Sequence, residues 1–538
     1  MPASQVQPDS TQPTLETLPE VYCVHGVDPE VQAYAMAKYS RSALSMKESL
    51  AELNEQKAEK FLNTFYFQYG HRSIADLAHI AMAIERLSLL AATIVVDEQR
   101  WDGQERSTRY QDFKKSSYYT PGFGGDAELV RQYRESIEFL FSEYREFSEL
   151  MFQHLVSITP RPEEMKQDAY ERTLRARAFD ISRYILPLAT NTSLGQIVNS
   201  RTLETQVARL LSHTHHEVRQ LGQLMKDAAR GAAFNVNHAA YRNLVEAIRS
   251  KDASLGELAE QQLLREVRVS PTLVKYAEAS AYEIATRRAL WQAAAELMKG
   301  EHIATAPEVD LLDDEPLEIE LATTLLYEHS HYPYRQLREC VKALGETRRE
   351  EIIDLGLRHR GKHDEMLRAY CSGQKFRFDI LMDIGGYRDL HRHRRCVQIH
   401  QTYTSAHGYD MPSEIRDCGL AGRYSALMES SRRSVAQITA ELQPSLPEDH
   451  EDRVLPGSGH TAPSLQYLLP LAFRKRTLFK MDFAEVVYIT ELRTGVAGHF
   501  SYRNIAWKMY EAVAERYPSL AKYFRVTDAR EPVDLLKR

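Results

Sequence analysis

Cysteine is scarce in this sequence: five residues among 538, scattered at Cys23, Cys340, Cys371, Cys396 and Cys418, with no CxxC pair. So odd and dispersed a set excludes a disulfide framework and points to a reducing compartment, the cytoplasm. Long apolar runs are missing too. None approaches the ~18 residues needed to cross a bilayer, so no membrane partner is expected. Nor is there a basic surplus: the formal charge is −7, which argues against a nucleic-acid partner and leaves any phosphate to local arginine clusters. Glycine (24) and proline (21) are too few for a collagen-like or low-complexity chain. Neither GxGxxG nor GxxxxGKS/T occurs, so Rossmann and P-loop sites are unsupported. The first twenty residues lack the basic start and apolar core of a signal peptide; polar and proline-punctuated, they read as a disordered leader over 1–17.

What is present is ordinary globular material, 43% apolar and 27% charged, in a chain too long for one compact domain. Helical periodicity marks Glu128–Leu155, Glu163–Ile185, Leu203–Lys226 and Leu255–Leu297, while Gln104–Phe113 and Thr190–Val198 read as strands or loops. The acidic Gly300–Pro316, with two prolines, interrupts this pattern as a linker would. Across it, three loose matches recur in order. Lys38–Leu53 pairs with Tyr327–Leu344, Phe67–Ala78 with Leu355–Ala369, and Ser182–Ala189 with Leu465–Ala472, at separations of 290, 292 and 283 residues. The chain therefore reads as two diverged copies of one α/β (α+β) domain, over 18–298 and 317–538, joined by a linker over 299–316.

Two stretches could carry chemistry. In ERSTRYQDF, an extended backbone would put Glu105, Ser107 and Arg109 on one face and Tyr110 on the other. Arginine and serine suit phosphate oxygens, and glutamate suits a ribose hydroxyl or base N–H; without further context the pattern favours a solvated strand edge with an in-line ion pair. In DLHRHRRCVQIH, the residues His391, Arg392, His393, Arg394 and Arg395 form the densest basic spot of an acidic chain, fit for a pyrophosphate or the anionic ring of a reduced flavin. A solvated basic helix face competes. His391, His393, Cys396 and His400 match no zinc spacing, so no metal is expected, and Cys396 lacks an evident partner as a nucleophile. HTHHEVR (His213–Arg219) lacks the HExxH order and reads as exposed helix surface.

Taken in order, these motifs resemble the flavin-dependent thymidylate synthases, the ThyX family. Gly70-His71-Arg72-Ser73 is similar to the family's GHxS segment, and Ile84-Glu85-Arg86-Leu87-Ser88 to its IEG-S element. Glu105, Ser107, Arg109 and Tyr110 fall on the ExSxRY end of the signature RHRxxSxNExSxRY, Arg183 on the ARxxLP arginine, and Asn199 and Arg201 on the N-x-R pair. The resemblance covers roughly Asp28–Leu224. It departs where the family has Arg-His-Arg, which here reads Asp97-Glu98-Gln99. The second copy reverses this. Arg392-His393-Arg394 matches RHR, while His400, Thr402, Thr404 and Ser405 replace ExSxRY, Gln466 and Asp482 replace the later arginine and asparagine, and Arg493 stands where the first copy has Leu210.

The resemblance implies two tandem ThyX-like domains, each a mixed or antiparallel sheet with long helices, forming a pseudo-dimer; a homodimer would then equal the family's tetramer. It further implies reductive methylation of dUMP to dTMP with methylenetetrahydrofolate, NADPH and FAD. On that footing Glu105, Ser107, Arg109, Arg183 and Arg493 would bind substrate, with Ser107, Arg109 and Arg394 as the catalytic set. Arg392, His393, Arg394, His71, Ser73, Asn199 and Arg201 would hold the flavin. Family sites lie at subunit interfaces, so each copy could supply what the other lacks. Leu210 and Gln466, however, would both face a composite site, a mismatch that favours decay into a non-catalytic nucleotide or flavin scaffold. A relative acting on another pyrimidine nucleotide is the remaining alternative.

Overall fold

The computed structural model describes residues 26–38, 50, 72–109, 112–113, 117–361, 364–447, 449–454, 459–531 and 534–536. The expected leader, most of Lys38–Leu53, the stretch Phe67–His71 and Tyr110 lie outside the described residues. The chain divides into two compact units: a smaller one, Met1–Ala78 with Gly231–Leu273, and a larger one, His79–Arg230 with Val274–Arg538.

In the smaller unit, Ala33 of the helix Pro29–Lys38 shares a small core with Ile74, Ala75, Ala78 and Leu273. Glu30 on that helix accepts the backbone N–H groups of Thr272 and Leu273 at 2.8 and 2.7 Å.

The larger unit holds two antiparallel sheets. The first comprises β1 (His79–Ser88), β2 (Asp102–Glu105) and β3 (Asn191–Asn199) in the order β1-β3-β2. The second comprises β4 (Val309–Leu311), β5 (Phe376–Asp383), β6 (Val397–His400) and β7 (Arg474–Met481) in the order β4-β5-β7-β6. Setting β4 aside, the second sheet repeats the topology of the first, as a tandem repeat of one α/β domain requires. β4 falls inside the acidic Gly300–Pro316 segment: Val309 and Leu311, flanking Asp310, enter the core beside Phe378 and Ile380. Short apolar alternation survives there among the acids.

Each copy turns from strand to helix in the same way. Ser88 ends β1 and caps the helix Leu89–Val95, its Oγ accepting the N–H of Ala91 at 2.9 Å; Asp383 ends β5 and caps Ile384–Leu390, accepting from Gly386 at 2.6 Å. Just before the first cap, a bulge between Glu85 and Leu87 sets Arg86 at φ 61°. That is left-handed backbone, and it falls at the glycine of the IEG-S element.

Two expected helices are broken. Leu203–Lys226 becomes Ser200–Leu211 and His216–Arg230, parted at Ser212–His215, where Arg219 donates to the carbonyls of His213 and Thr214. Leu255–Leu297 becomes Ala253–Leu263 and Ala281–Leu297, the second capped by Ser280. Polar caps within an apolar-periodic stretch end these helices without disturbing its hydrophobic spacing.

The copies meet about a local pseudo-twofold axis. Pro187 and Pro470 oppose each other in an antiparallel bridge. The N–H of Leu188 donates to the carbonyl of Leu469 (3.0 Å) and, reciprocally, that of Leu471 to Leu186 (3.0 Å). Ala189 donates to Tyr467 (2.9 Å) and Ala472 to Tyr184 (3.1 Å). The long helices Ala127–Ile158 and Ala421–Leu442 also pair, through Glu143 with Arg423 (2.8 Å) and Ser136 with Ser434 (3.0 Å).

Candidate functional site

β2 ends at Glu105, opposite Leu194, and the chain does not stay extended as expected. The N–H of Arg109 donates to Ser107 Oγ at 3.2 Å, a hydroxyl-closed turn that takes Glu105, Ser107 and Arg109 off any common strand face. Glu105 is ion-paired with Arg388 of the second copy. Arg109 turns inward. Its Nε and Nη2 hold Asp180 at 3.0 and 3.3 Å, Nη1 donates to the Tyr502 hydroxyl at 3.0 Å, and Nη2 reaches the carbonyl of Ala497 at 3.1 Å.

Asp180 sits in the last turn of the helix Gln167–Ser182 and meets three basic side chains. Besides Arg109 it meets Arg183, one helical turn on, at 3.4 Å, and His499 Nδ1 at 3.0 Å. His499 Nε2 lies 2.8 Å from the Tyr184 hydroxyl, so an Nδ1–H donor with an Nε2 acceptor satisfies both contacts. Burial disfavours an ionised Asp180, yet His499, Arg183 and Arg109 hold it below the usual carboxylate range. Arg183 is 2% exposed; it reaches Asp389 of the second copy and Thr108 Oγ1 at 3.3 and 3.4 Å.

Asp389 is the focus of the site. Burial opposes its charge, but Arg183, Arg109, Arg392 and Arg493 together keep it ionised, its pKa lowered. Two arginines of each copy, Arg109 and Arg183 with Arg392 and Arg493, therefore favour the charged form of Asp389, Arg183 in direct contact at 3.3 Å. Arg392 is exposed. His393 is buried, with its Nε2 2.7 Å from Arg493 Nε and its Nδ1 3.6 Å from Glu485. Arg394 lies on the Trp101 ring and pairs with Asp102 at 3.0 Å; Arg395 pairs with Asp482 at 2.7 Å. The basic stretch is thus neither one solvated face nor one cradle, since alternate residues point in and out. Cys396 is buried against the His393 carbonyl, and burial pushes its thiol up to about 12.

Other expected residues have local duties. Asn199 caps the helix Ser200–Leu211, its Oδ1 accepting from Thr202 at 2.8 Å, with Arg201 partly buried in the first turn. Asp482 does the same for Phe483–Arg493, which accounts for aspartate in place of asparagine. Ser73 is exposed on the turn Arg72–Leu77 of the smaller unit, and His71 lies outside the described residues. HTHHEVR is not exposed helix surface: His215, Glu217 and Val218 are buried, with Glu217 accepting the N–H and Oγ–H of Ser88 at 2.8 and 2.6 Å. Among the described residues, no group of three or more His, Cys, Asp or Glu side chains could hold a metal ion, and no helix is long and apolar enough to cross a membrane.

Asp180, Asp389, His499 and Tyr502 escaped sequence reasoning. Asp180 stands three residues before Arg183, and Asp389 opens DLHRHRRC; an acid one turn from a motif arginine was the available signal.

The thymidylate synthase complementing protein (Thy1) family matches this chain twice, over residues 24–233 and 309–519. The chain belongs to that family. A UPF0159 protein of Chlamydia pneumoniae is 26% identical over 95% of this chain and 92% of its own length. The flavin-dependent thymidylate synthase of Clostridium tetani is 25% identical over 39% of this chain and 81% of its own. A crystal structure of Helicobacter pylori ThyX complexed with FAD and dUMP aligns at 15% identity over 38% of this chain and 91% of that one, with a TM-score of 0.23.

Within this tandem Thy1 chain, the pseudo-twofold axis decides where each lost motif residue goes. Arg392 and Asp97 are equivalents at the ends of matching strand–helix units, as are Arg493 and Leu210, Arg183 and Gln466, and Arg109 and Thr404. All four arginines favour the charge on Asp389, and their equivalents by the pseudo-twofold are Asp97, Leu210, Gln466 and Thr404. By this equivalence Leu210 and Gln466 correspond to Arg493 and Arg183.

Proposed function

We propose that this chain is a flavin-dependent thymidylate synthase-like protein that binds a pyrimidine nucleoside monophosphate, dUMP, around Asp389 and methylates it to dTMP. The observation that supports this reading is that arginines of both copies, Arg109 and Arg183 with Arg392 and Arg493, act on the charge of Asp389, with Arg183 in contact with it at 3.3 Å. Such a cluster suits a phosphate, which guanidinium groups bind through charge-assisted hydrogen bonds. Arg109, planar and already held by Asp180 and Tyr502, would grip the phosphate without losing much side-chain freedom. Glu105 and Ser107 would contribute through the turn they build, and Arg201 from the first turn of its helix.

FAD would be held here. Arg392 is exposed, and Arg394 lies on Trp101 and pairs with Asp102, whose side chain is 85% exposed, so both can turn to an anionic group, with His393 fixed behind them by Arg493 and Glu485. At the equivalent position of the first copy Asp97 and Glu98 would repel it. A bound flavin, reduced by NADPH, would supply the hydride that completes methyl transfer from methylenetetrahydrofolate. Arg109 and Arg183 would fix the nucleotide, and Arg392 and Arg394 would supply positive charge to the flavin. On this reading copies 18–298 and 317–538 form a pseudo-dimer, and two chains form the equivalent of the family's tetramer.

The test is spectroscopic and thermodynamic. Purified protein should absorb near ~450 nm and be bleached by NADPH when dUMP and folate are present. Arg109→Ala should weaken dUMP binding by about 1.5–3 kcal/mol. Colourless protein that takes up no added FAD would leave the non-catalytic scaffold. Bound FAD with no dTMP formed would point to another pyrimidine nucleotide.

A further inference from the structure

A symmetric pair of copies would carry two dyad-related nucleotide sites. We infer that this chain retains one and has closed the other. The inference rests on the reading of the Asp389 cluster as the nucleotide site and goes on to fix its stoichiometry.

At the closed position the pseudo-twofold about the Pro187–Pro470 bridge makes Asp97, Leu210, Gln466 and Thr404 the equivalents of the four arginines. The exchange is also filled in. Asp97, which replaces the equivalent of Arg392, is bound by Arg368 at 2.6 Å and faces His391 Nε2 at 3.7 Å. Glu98, which replaces the equivalent of His393, is bound by Arg209 at 2.8 Å. Leu210 is buried without exposure. Where His499 meets Asp180 in the open site, its equivalent His215 meets Gln466, because Pro463 stands where a carboxylate would have to be. The acids at the closed position are consumed by internal cations, and no arginine equivalent remains to receive a phosphate. A dianion entering there would meet the buried carboxylate of Asp97 with the attraction of Arg368 already spent.

Isothermal titration of the full-length protein with dUMP, joined by phosphorus NMR of the complex, tests the assignment. One dUMP per chain and a single bound phosphate resonance are expected. Arg392→Asp, which installs the closed position's residue at an exposed place, should weaken binding by on the order of tenfold or more. Arg183→Gln should do the same, with circular dichroism reporting whether this buried change is tolerated. Two dUMP per chain would overturn the single-site inference while leaving the nucleotide reading standing. One dUMP per chain, unaffected by Arg392→Asp, would place it elsewhere and also overturn the inference. No binding at millimolar dUMP would defeat the nucleotide reading itself, and the inference with it.

Discussion

Pro187 and Pro470 oppose each other across the pseudo-twofold axis, and four backbone hydrogen bonds flank the pair, two from each copy. Leu188 and Leu471, the dyad mates that begin these bonds, are both fully buried. Leu188→Ala and Leu471→Ala should each lower stability by about 2–5 kcal/mol, and by similar amounts, in urea unfolding. A large cost on one side alone would mean that the two halves of the junction are not equivalent.

Asp180 holds Arg109, Arg183 and His499 at once. Asp180→Asn leaves two buried guanidinium groups short of charge and should cost about 3–5 kcal/mol at pH 7. The sign of its pH dependence follows from the lowered folded pKa. Such an acid adds stability above its unfolded value of ~3.9, and that stability fades as pH falls through the folded value. The gap between wild type and variant, followed by denaturant midpoints, should therefore narrow below about pH 4.

Lys475 is buried on β7 between the rings of Tyr387 and Tyr403, at 4.2 and 4.1 Å, with no hydrogen-bond acceptor for its Nζ among the described residues. Burial drives its pKa down to about 7, against a lesser pull from Asp97. A base depressed in this way burdens folding fully below pH 7, and the burden disappears as pH rises towards the unfolded value of ~10.4. Lys475→Met should raise stability by on the order of 1–3 kcal/mol at pH 6 and by little at pH 10. Equal melting temperatures for the two proteins at pH 6 would show that the aromatic faces already compensate the charge.

Asn199 caps a helix rather than pointing at the arginine cluster. Asn199→Ala should cost about 0.5–2 kcal/mol and Asn199→Asp almost nothing, with dUMP affinity preserved in both. A loss of affinity in the aspartate variant would return the residue to the binding site.

Some of this was legible in the sequence. The ILPLA and LLPLA stretches recur because an X-Pro step restricts two residues at once, and they proved to be the junction itself. The Arg392 and Arg183 motifs were likewise visible, as arginines at fixed places in recognisable short patterns. Their carboxylate partners were not, because Asp180 and Asp389 carry no spacing rule that distinguishes a clamp from a surface pair. The turn after Glu105 escaped notice because a single Ser107 hydroxyl closes it. The side of the axis to which Leu210 and Gln466 belong could not be read from spacing, since it depends on which copy's helix faces which strand.

Ser88 gives its hydroxyl proton to Glu217 in the first copy, whereas Ser501 gives its own to Asp383 in the second, so acid and alcohol have traded places between equivalent elements. A palindromic assembly of separate subunits cannot make that trade, because every contact must there be written twice. Covalent fusion released the chain from this grammar. Each half has become the other's template, and halves produced apart should seek their opposite rather than their own kind.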